Sequence, residues 1–131
     1  MKLLLDTHVW LWLLLDPKRI SKQTDRELRA LTNELWLSPI SVWEASLLIE
    51  AKRVRVKEPV HAWIQRVLSE APLQEAPLTH QVALESRTIG LGAHADPADR
   101  FIAATAAVYE LTLVTADERL LGARGFKTLE A

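Results

Sequence analysis

Four widely separated acids, Asp6, Glu44, Asp99 and Asp117, each stand at a strand end or a helix start beside an apolar run. Gathered in one place, such carboxylates make a site for a hard divalent cation. Two like charges about 4 Å apart repel by roughly 1 to 4 kcal/mol, and a bound cation removes that cost. Mg²⁺ takes oxygen ligands and keeps positions open for water and phosphate oxygens. It can make a water more acidic and stabilise charge on phosphorus oxygens, so the chemistry in view is phosphodiester hydrolysis.

Each acid also has an ordinary structural role open to it. Asp6 is suited to cap the helix that follows it. Glu44 has the capping-box spacing from Ser41. Asp96 and Asp99 flank Pro97 in turn-forming composition, and Asp117 followed by Glu118 complements a helix dipole. Thr7 and Thr115 lie within two residues of a key acid, where a hydroxyl either orients a carboxylate or makes an ordinary turn bond. His8, His61, His80 and His94 lack compact ligand spacing, and His94 alone is expected near the acids as a general-acid candidate.

The elements needed to bring these acids together are legible in the apolar pattern. Short buried strands are expected at Lys2–Leu5, Leu35–Leu37 and Leu111–Val114, with an edge strand over 73–78 and a last one over 126–129. Helices are expected over 8–15, 21–33, from Ser41 past Ile49, 59–69, 79–89, from Arg100 through an alanine-rich run, and 118–121. Strands alternating with helices imply an α/β fold, a three-layer α/β/α sandwich with a central, mostly parallel sheet. In such sheets ligands collect outside the carboxyl ends of the strands, where Asp6 and Asp117 are expected, and helix starts reach the same edge.

Length and composition set the frame. The 131 residues fit one domain over 1–131, and 49% hydrophobic with 25% charged residues is a globular balance. No cysteine is present, which excludes disulfides and thiolate ligands and fits a reducing cytoplasm. The leucine-rich start is interrupted by Asp6 and His8, so neither a secretory leader nor a membrane span is expected. A formal charge of −1 gives no global basic footprint, so a nucleic acid would be held locally or through metal ions. Arg100 is placed to pair with Asp99 or meet a phosphate, and Lys52, Arg53, Arg55 and Lys57 form either a backbone contact or a plain charged loop. Trp36 and Trp43 are expected in the core.

LLLDTHVWLWLL, SPISVWEASLLIE, HADPADRFIAATA and LVTADERL, in this order, resemble the PIN-domain ribonucleases, and specifically the VapC-type toxins of bacterial toxin–antitoxin pairs. The likeness runs from Lys2 through the end. It implies an endoribonuclease dependent on Mg²⁺ or Mn²⁺, a homodimer, and inhibition by a small VapB-like antitoxin that wraps the toxin. The family's acids fall on Asp6, Glu44, Asp99 and Asp117, with Asp96 as a further ligand from the DPxD form and Thr115 as the family's threonine. The antitoxin's groove, formed by the early helices, would account for Trp10, Trp12 and Trp43, which otherwise fill the core. Hydrolysis by water would leave 5′-phosphate and 3′-hydroxyl ends. The rivals are a phosphatase with Asp6 as nucleophile, weakened because DTH lacks a second aspartate two residues on, and a noncatalytic module binding RNA or a peptide.

Overall fold

The computed structural model describes residues 1–92 and 96–131. Five strands form one parallel sheet: β1 (Lys2–Leu5), β2 (Glu34–Leu37), β3 (Leu73–Glu75), β4 (Thr112–Thr115) and β5 (Lys127–Glu130). Their spatial order is β3-β2-β1-β4-β5. The chain moves outward from β1 through β2 to β3, then crosses back to lay β4 on the other side of β1. That reversal opens a crevice at the carboxyl ends of β1 and β4.

Burial on both faces explains why β1 is leucine throughout its inner part. Leu3 and Leu5 point into one core with Val114, and Leu4 points into the other with Leu113. All three leucines are fully buried. The first layer comprises α1 (Thr7–Leu15), α2 (Lys22–Arg29), α3 (Pro39–Glu50) and α4 (Val60–Glu70), contributing Trp10, Leu28, Ala45, Trp63 and Ile64. On the second face lies α6 (Pro97–Val108), whose Ile102, Ala103 and Ala106 allow a close approach, with Leu120 from α7 (Glu118–Leu121) beside it. Between α4 and α6 in the chain, α5 (His80–Glu85) packs on α6. The α/β/α sandwich is thus the observed architecture.

Local differences from the expected elements have identifiable causes. Helix α3 starts at Pro39, and Ser38, not Ser41, is its cap: Ser38 Oγ accepts from the Ile40 amide at 3.1 Å. Proline belongs at the first helical position, so Ser41 lies inside the first turn and the expected Ser41–Glu44 capping box does not form. Helix α6 likewise begins at Pro97, with Asp96 as its cap. Helix α2 stops at Arg29, four residues before Asn33, so Leu31 lies in a turn and is fully exposed. Strand β3 is an edge strand as expected but ends at Glu75. The expected helix over 79–89 is continuous only over α5, and of Val82, Ala83 and Leu84 just Val82 is buried, with Leu84 74% exposed. Val82, Ser86 and Ile89 carry the inward face of this segment.

Candidate active site

Asp6 is set by the β1–β4 pairing. Its amide donates to the Val114 carbonyl at 3.0 Å, extending the ladder one residue beyond β1. Its side chain then caps α1, with Oδ1 accepting from the Thr7 amide at 2.9 Å. The other oxygen, Oδ2, accepts from Thr115 Oγ1 at 2.6 Å. Capping and site membership are therefore compatible in this residue. At 8% exposure the carboxylate is almost out of water, and that burial raises its pKa against the lowering effect of the Thr115 and Thr7 bonds.

Thr115 also accepts from the Asp117 amide at 3.0 Å, so one hydroxyl ties the end of β1 to the start of α7. Asp117 is the cap of α7, with Oδ1 accepting from the Arg119 amide at 2.9 Å. Arg119 folds back onto it, with Nη2 3.0 Å from Asp117 Oδ2 and 3.7 Å from Asp99 Oδ2. The guanidinium bonds lower the Asp117 pKa.

Glu44 sits in the second turn of α3, and Thr7 Oγ1 donates to its Oε1 at 2.5 Å while lying 3.0 Å from Ser41 Oγ. Burial is the main reason its pKa is raised, with the Asp6 and Asp96 charges adding to it and the Thr7 bond opposing. Asp99 lies in the first turn of α6, its amide donating to Asp96 Oδ1 at 2.9 Å. Its carboxyl is pushed up to about 7, first by burial and then by the charges of Asp96, Asp6, Asp117 and Glu44.

These acids line one cleft of about 360 Å³: Asp6, Glu44, Asp96, Asp99 and Asp117, together with His8, Trp12, Ala116 and Arg119. Every acid singled out in the sequence thus reaches the same cleft. The donor set is carboxylate oxygen, which suits a hard divalent cation. Among the described residues no three of these groups stand close enough to form a ready-made ligand shell. Five carboxylates share the cleft with the single Arg119 guanidinium among the described lining residues, so its negative charge is under-compensated, and burial with the neighbouring charges raises the Asp99 pKa. In its chemistry the set fits Mg²⁺ or Mn²⁺.

Several expectations change here. His8 lines the cleft, against the expectation that His94 alone among the histidines would be near; His94 itself lies outside the described residues. Arg119, which was not singled out, takes the place beside Asp99 expected for Arg100, and Arg100 donates instead to the Ser86 carbonyl at 3.1 Å. Both missed residues follow a key acid by two positions, a spacing that puts their side chains on the same helix start. Lys52, Arg53, Arg55 and Lys57 do not line the cleft. Trp36 packs against the second core and stacks on Tyr109 with ring centroids 6.3 Å apart. Trp43, expected in the core, is 56% exposed. It stands with Leu47, Leu48, Pro97 and Ala98 around an apolar slot of about 330 Å³ that shares Glu44 and Asp96 with the acidic cleft. Trp10 is core, and Trp12 is partly buried with the Arg19 guanidinium 5.0 Å from its ring centroid.

The sequence profile of the PIN domain matches residues 3–125. Ribonuclease VapC22 of Mycobacterium tuberculosis is 33% identical over 117 residues, 89% of this chain and 88% of that protein. VapBC2 from Rickettsia felis, in a crystal structure bound to a DNA fragment from its promoter, superposes with a TM-score of 0.75 at 18% identity, covering 100% of this chain and 99% of that one. DNA-bound VapBC from Salmonella typhimurium gives a TM-score of 0.70 at 18% identity, covering 99% and 98%. The two structures carry the fold, and the profile with the mycobacterial relative carries the family. With its acids at the sheet crevice and its match from the first strand to the last turn, the chain belongs to the PIN-domain family, in the VapC-type branch.

Proposed function

We propose that the protein is a Mg²⁺- or Mn²⁺-dependent endoribonuclease, the toxin of a toxin–antitoxin pair. The observation that carries this reading is the convergence of Asp6, Glu44, Asp96, Asp99 and Asp117 on one cleft, with the Asp99 carboxyl pushed up to about 7 by burial and then by its acidic neighbours. A site with this much unneutralised charge has a place for a cation and is hostile to a phosphodiester without one.

In this reading Asp6, Glu44 and Asp99 hold one cation, and Asp117 and Asp96 support it or a second. Thr115 and Thr7 hold the Asp6 and Glu44 oxygens in place through their hydroxyls. Fixing a carboxylate from its far side is how neighbouring residues tune a metal ligand. The bound cation supplies charge neutralisation at the phosphate and a more acidic water. Water then displaces the ribose 3′ oxygen at phosphorus, leaving 5′-phosphate and 3′-hydroxyl ends. Two residues after Asp6 stands His8 in place of a second aspartate, which disfavours the phosphatase reading.

The partners belong to the same proposal: RNA as substrate, a VapB-like antitoxin as inhibitor, and a second copy of the chain in a homodimer. The slot beside Trp43 and Leu47 is apolar, exposed and continuous with the acids, which suits an inhibitor segment that covers the cleft. Residues 1–131 are read as one PIN domain, supported by β5 joining the sheet that β1 opens. Among the described residues no helix is long and apolar enough to cross a membrane.

The test is cleavage of single-stranded RNA by inhibitor-free protein in Mn²⁺, by the wild type and by Asp6→Asn. Cleavage by the wild type, lost in a D6N variant whose circular dichroism is unchanged, supports an enzyme. RNA bound but not cut by the wild type would favour the noncatalytic module.

A further inference from the structure

The cleft contains its own cation. Among the described residues that line it, Arg119 is the one Lys or Arg, facing five carboxylates. Its Nη2 reaches Asp117 Oδ2 at 3.0 Å, its Nε reaches Asp117 Oδ1 at 3.2 Å, and Asp99 Oδ2 lies 3.7 Å from Nη2. Both oxygens of Asp117 are thus occupied by a guanidinium. A divalent ion that took Asp117 as a ligand would share its oxygens with the guanidinium and stand close to that positive charge, which repels it. The guanidinium also stands between the two acids that would approach each other around such an ion.

We propose that Arg119 is a resident counter-ion which a divalent cation displaces from Asp99 and Asp117, and which then binds the phosphate of the RNA substrate. This rests on the reading of the cleft as a cation-dependent RNA site.

Three features support the exchange. The Arg119 side chain is 53% exposed, so its ion pairs are of the screened, weak kind that a doubly charged ion outcompetes. Arg119 is the second residue of the four-residue helix α7, at the mouth of the cleft, and its long side chain reaches the acids from there. Once Asp117 is neutralised by a cation, the attraction that folds the guanidinium back is lost. The next anion in reach is the phosphate that the same cation recruits, and the planar fork of arginine matches two phosphate oxygens.

The two halves of the proposal pull in opposite directions on Arg119 variants, which separates them from a structural role. Calorimetric titration of inhibitor-free protein with MnCl₂ alone should show Arg119→Gln binding Mn²⁺ about three- to tenfold tighter than wild type, from the removal of one competing charge. Arg119→Lys, which keeps the charge but not the fork, should stay close to wild type. In RNA cleavage with saturating Mn²⁺, R119Q should raise KM several-fold more than it lowers kcat, with R119K in between. Mn²⁺ binding that is unchanged or weaker in R119Q would overturn the counter-ion role, and an unchanged KM would overturn the phosphate contact. If the wild type itself takes up no Mn²⁺, the reading of the site as cation-dependent falls with it. If wild-type uptake is normal and only the R119Q differences are missing, this inference alone fails.

Discussion

Thr115 and Asp6 are 109 positions apart in the chain and joined by a 2.6 Å hydrogen bond, Thr115 Oγ1 donating to Asp6 Oδ2. Both groups are buried, at the ends of the two adjacent central strands. The bond therefore reports directly on the β1–β4 register, which pairs Leu5 with Val114 and leaves Asp6 and Thr115 side by side.

Thr115→Val removes that donor and also the acceptor for the Asp117 amide, while keeping the shape of the side chain. Two polar groups then lose their partner, and the expected loss of stability is about 1 to 3 kcal/mol. Thr115→Ser keeps both bonds and should fall within about 1 kcal/mol of wild type by the same reasoning. Urea denaturation of the two variants checks this, and equal stabilities would mean that the bond contributes nothing.

The acids should make the cation-free protein lose stability on the alkaline side. Asp99 has its folded pKa raised from 3.8 to about 7. A raised carboxyl contributes stability that is complete below the unfolded pKa and is lost as pH rises through the folded value. Asp6 and Glu44 are raised as well and act in the same direction, whereas the lowered Asp117 opposes them. Melting in chelator should therefore show the midpoint falling between pH 5 and pH 8, with Mn²⁺ restoring it at pH 8; these bounds bracket roughly one unit above the ordinary carboxylate range and one above the Asp99 value. A midpoint that rises across this window in chelator would show that the acids do not repel as described.

Asp99→Asn should separate stability from activity. The amide carries no charge to desolvate and none for Asp96, Asp6, Asp117 and Glu44 to repel. In chelator at pH 8 the variant should melt above the wild type by an amount on the order of 1 kcal/mol, while RNA cleavage falls by about a hundredfold or more. A variant that is less stable in chelator and equally active would place Asp99 outside the site.

The tryptophans give a contrast in packing. Trp10 is 1% exposed and Trp43 is 56% exposed. Trp10→Ala should cost about 3 to 5 kcal/mol and Trp43→Ala no more than about 0.5 kcal/mol. Chemical denaturation of both reads the difference directly, and comparable losses would put Trp43 in the core after all.

The sequence carried the sheet and the acids because both leave strong marks. A run such as Leu3–Leu5 has few places to go other than the middle of a sheet covered on both faces, and an acid directly after it must lie at the sheet's edge. Alternation of strands and helices then put Glu44 and Asp99 at the same edge, and the structure brings both to the cleft. Surface and side-chain detail left weaker marks. Trp43 and Trp10 are the same residue type in similar apolar surroundings, but Trp10 is carried by α1 into the first core, whereas Trp43 stands on α3 at the rim of the slot beside α6. The start of α3 was displaced because Ser41 and Ser38 both have capping chemistry, and Pro39 decides between them. Arg100 and Arg119 each stand near an acid in the chain, but the turn of α6 sends Arg100 toward Ser86, while α7 aims Arg119 back into the cleft.

The central claim is that these acids act together as a cation-requiring centre that hydrolyses RNA with water. Sequencing the ends of fragments from total RNA, incubated with inhibitor-free protein in Mn²⁺ or in chelator, tests it most directly. Fragments should appear only with the cation and carry 5′-phosphate and 3′-hydroxyl ends. Fragments that persist in chelator, or that end in a 2′,3′-cyclic phosphate, would contradict it.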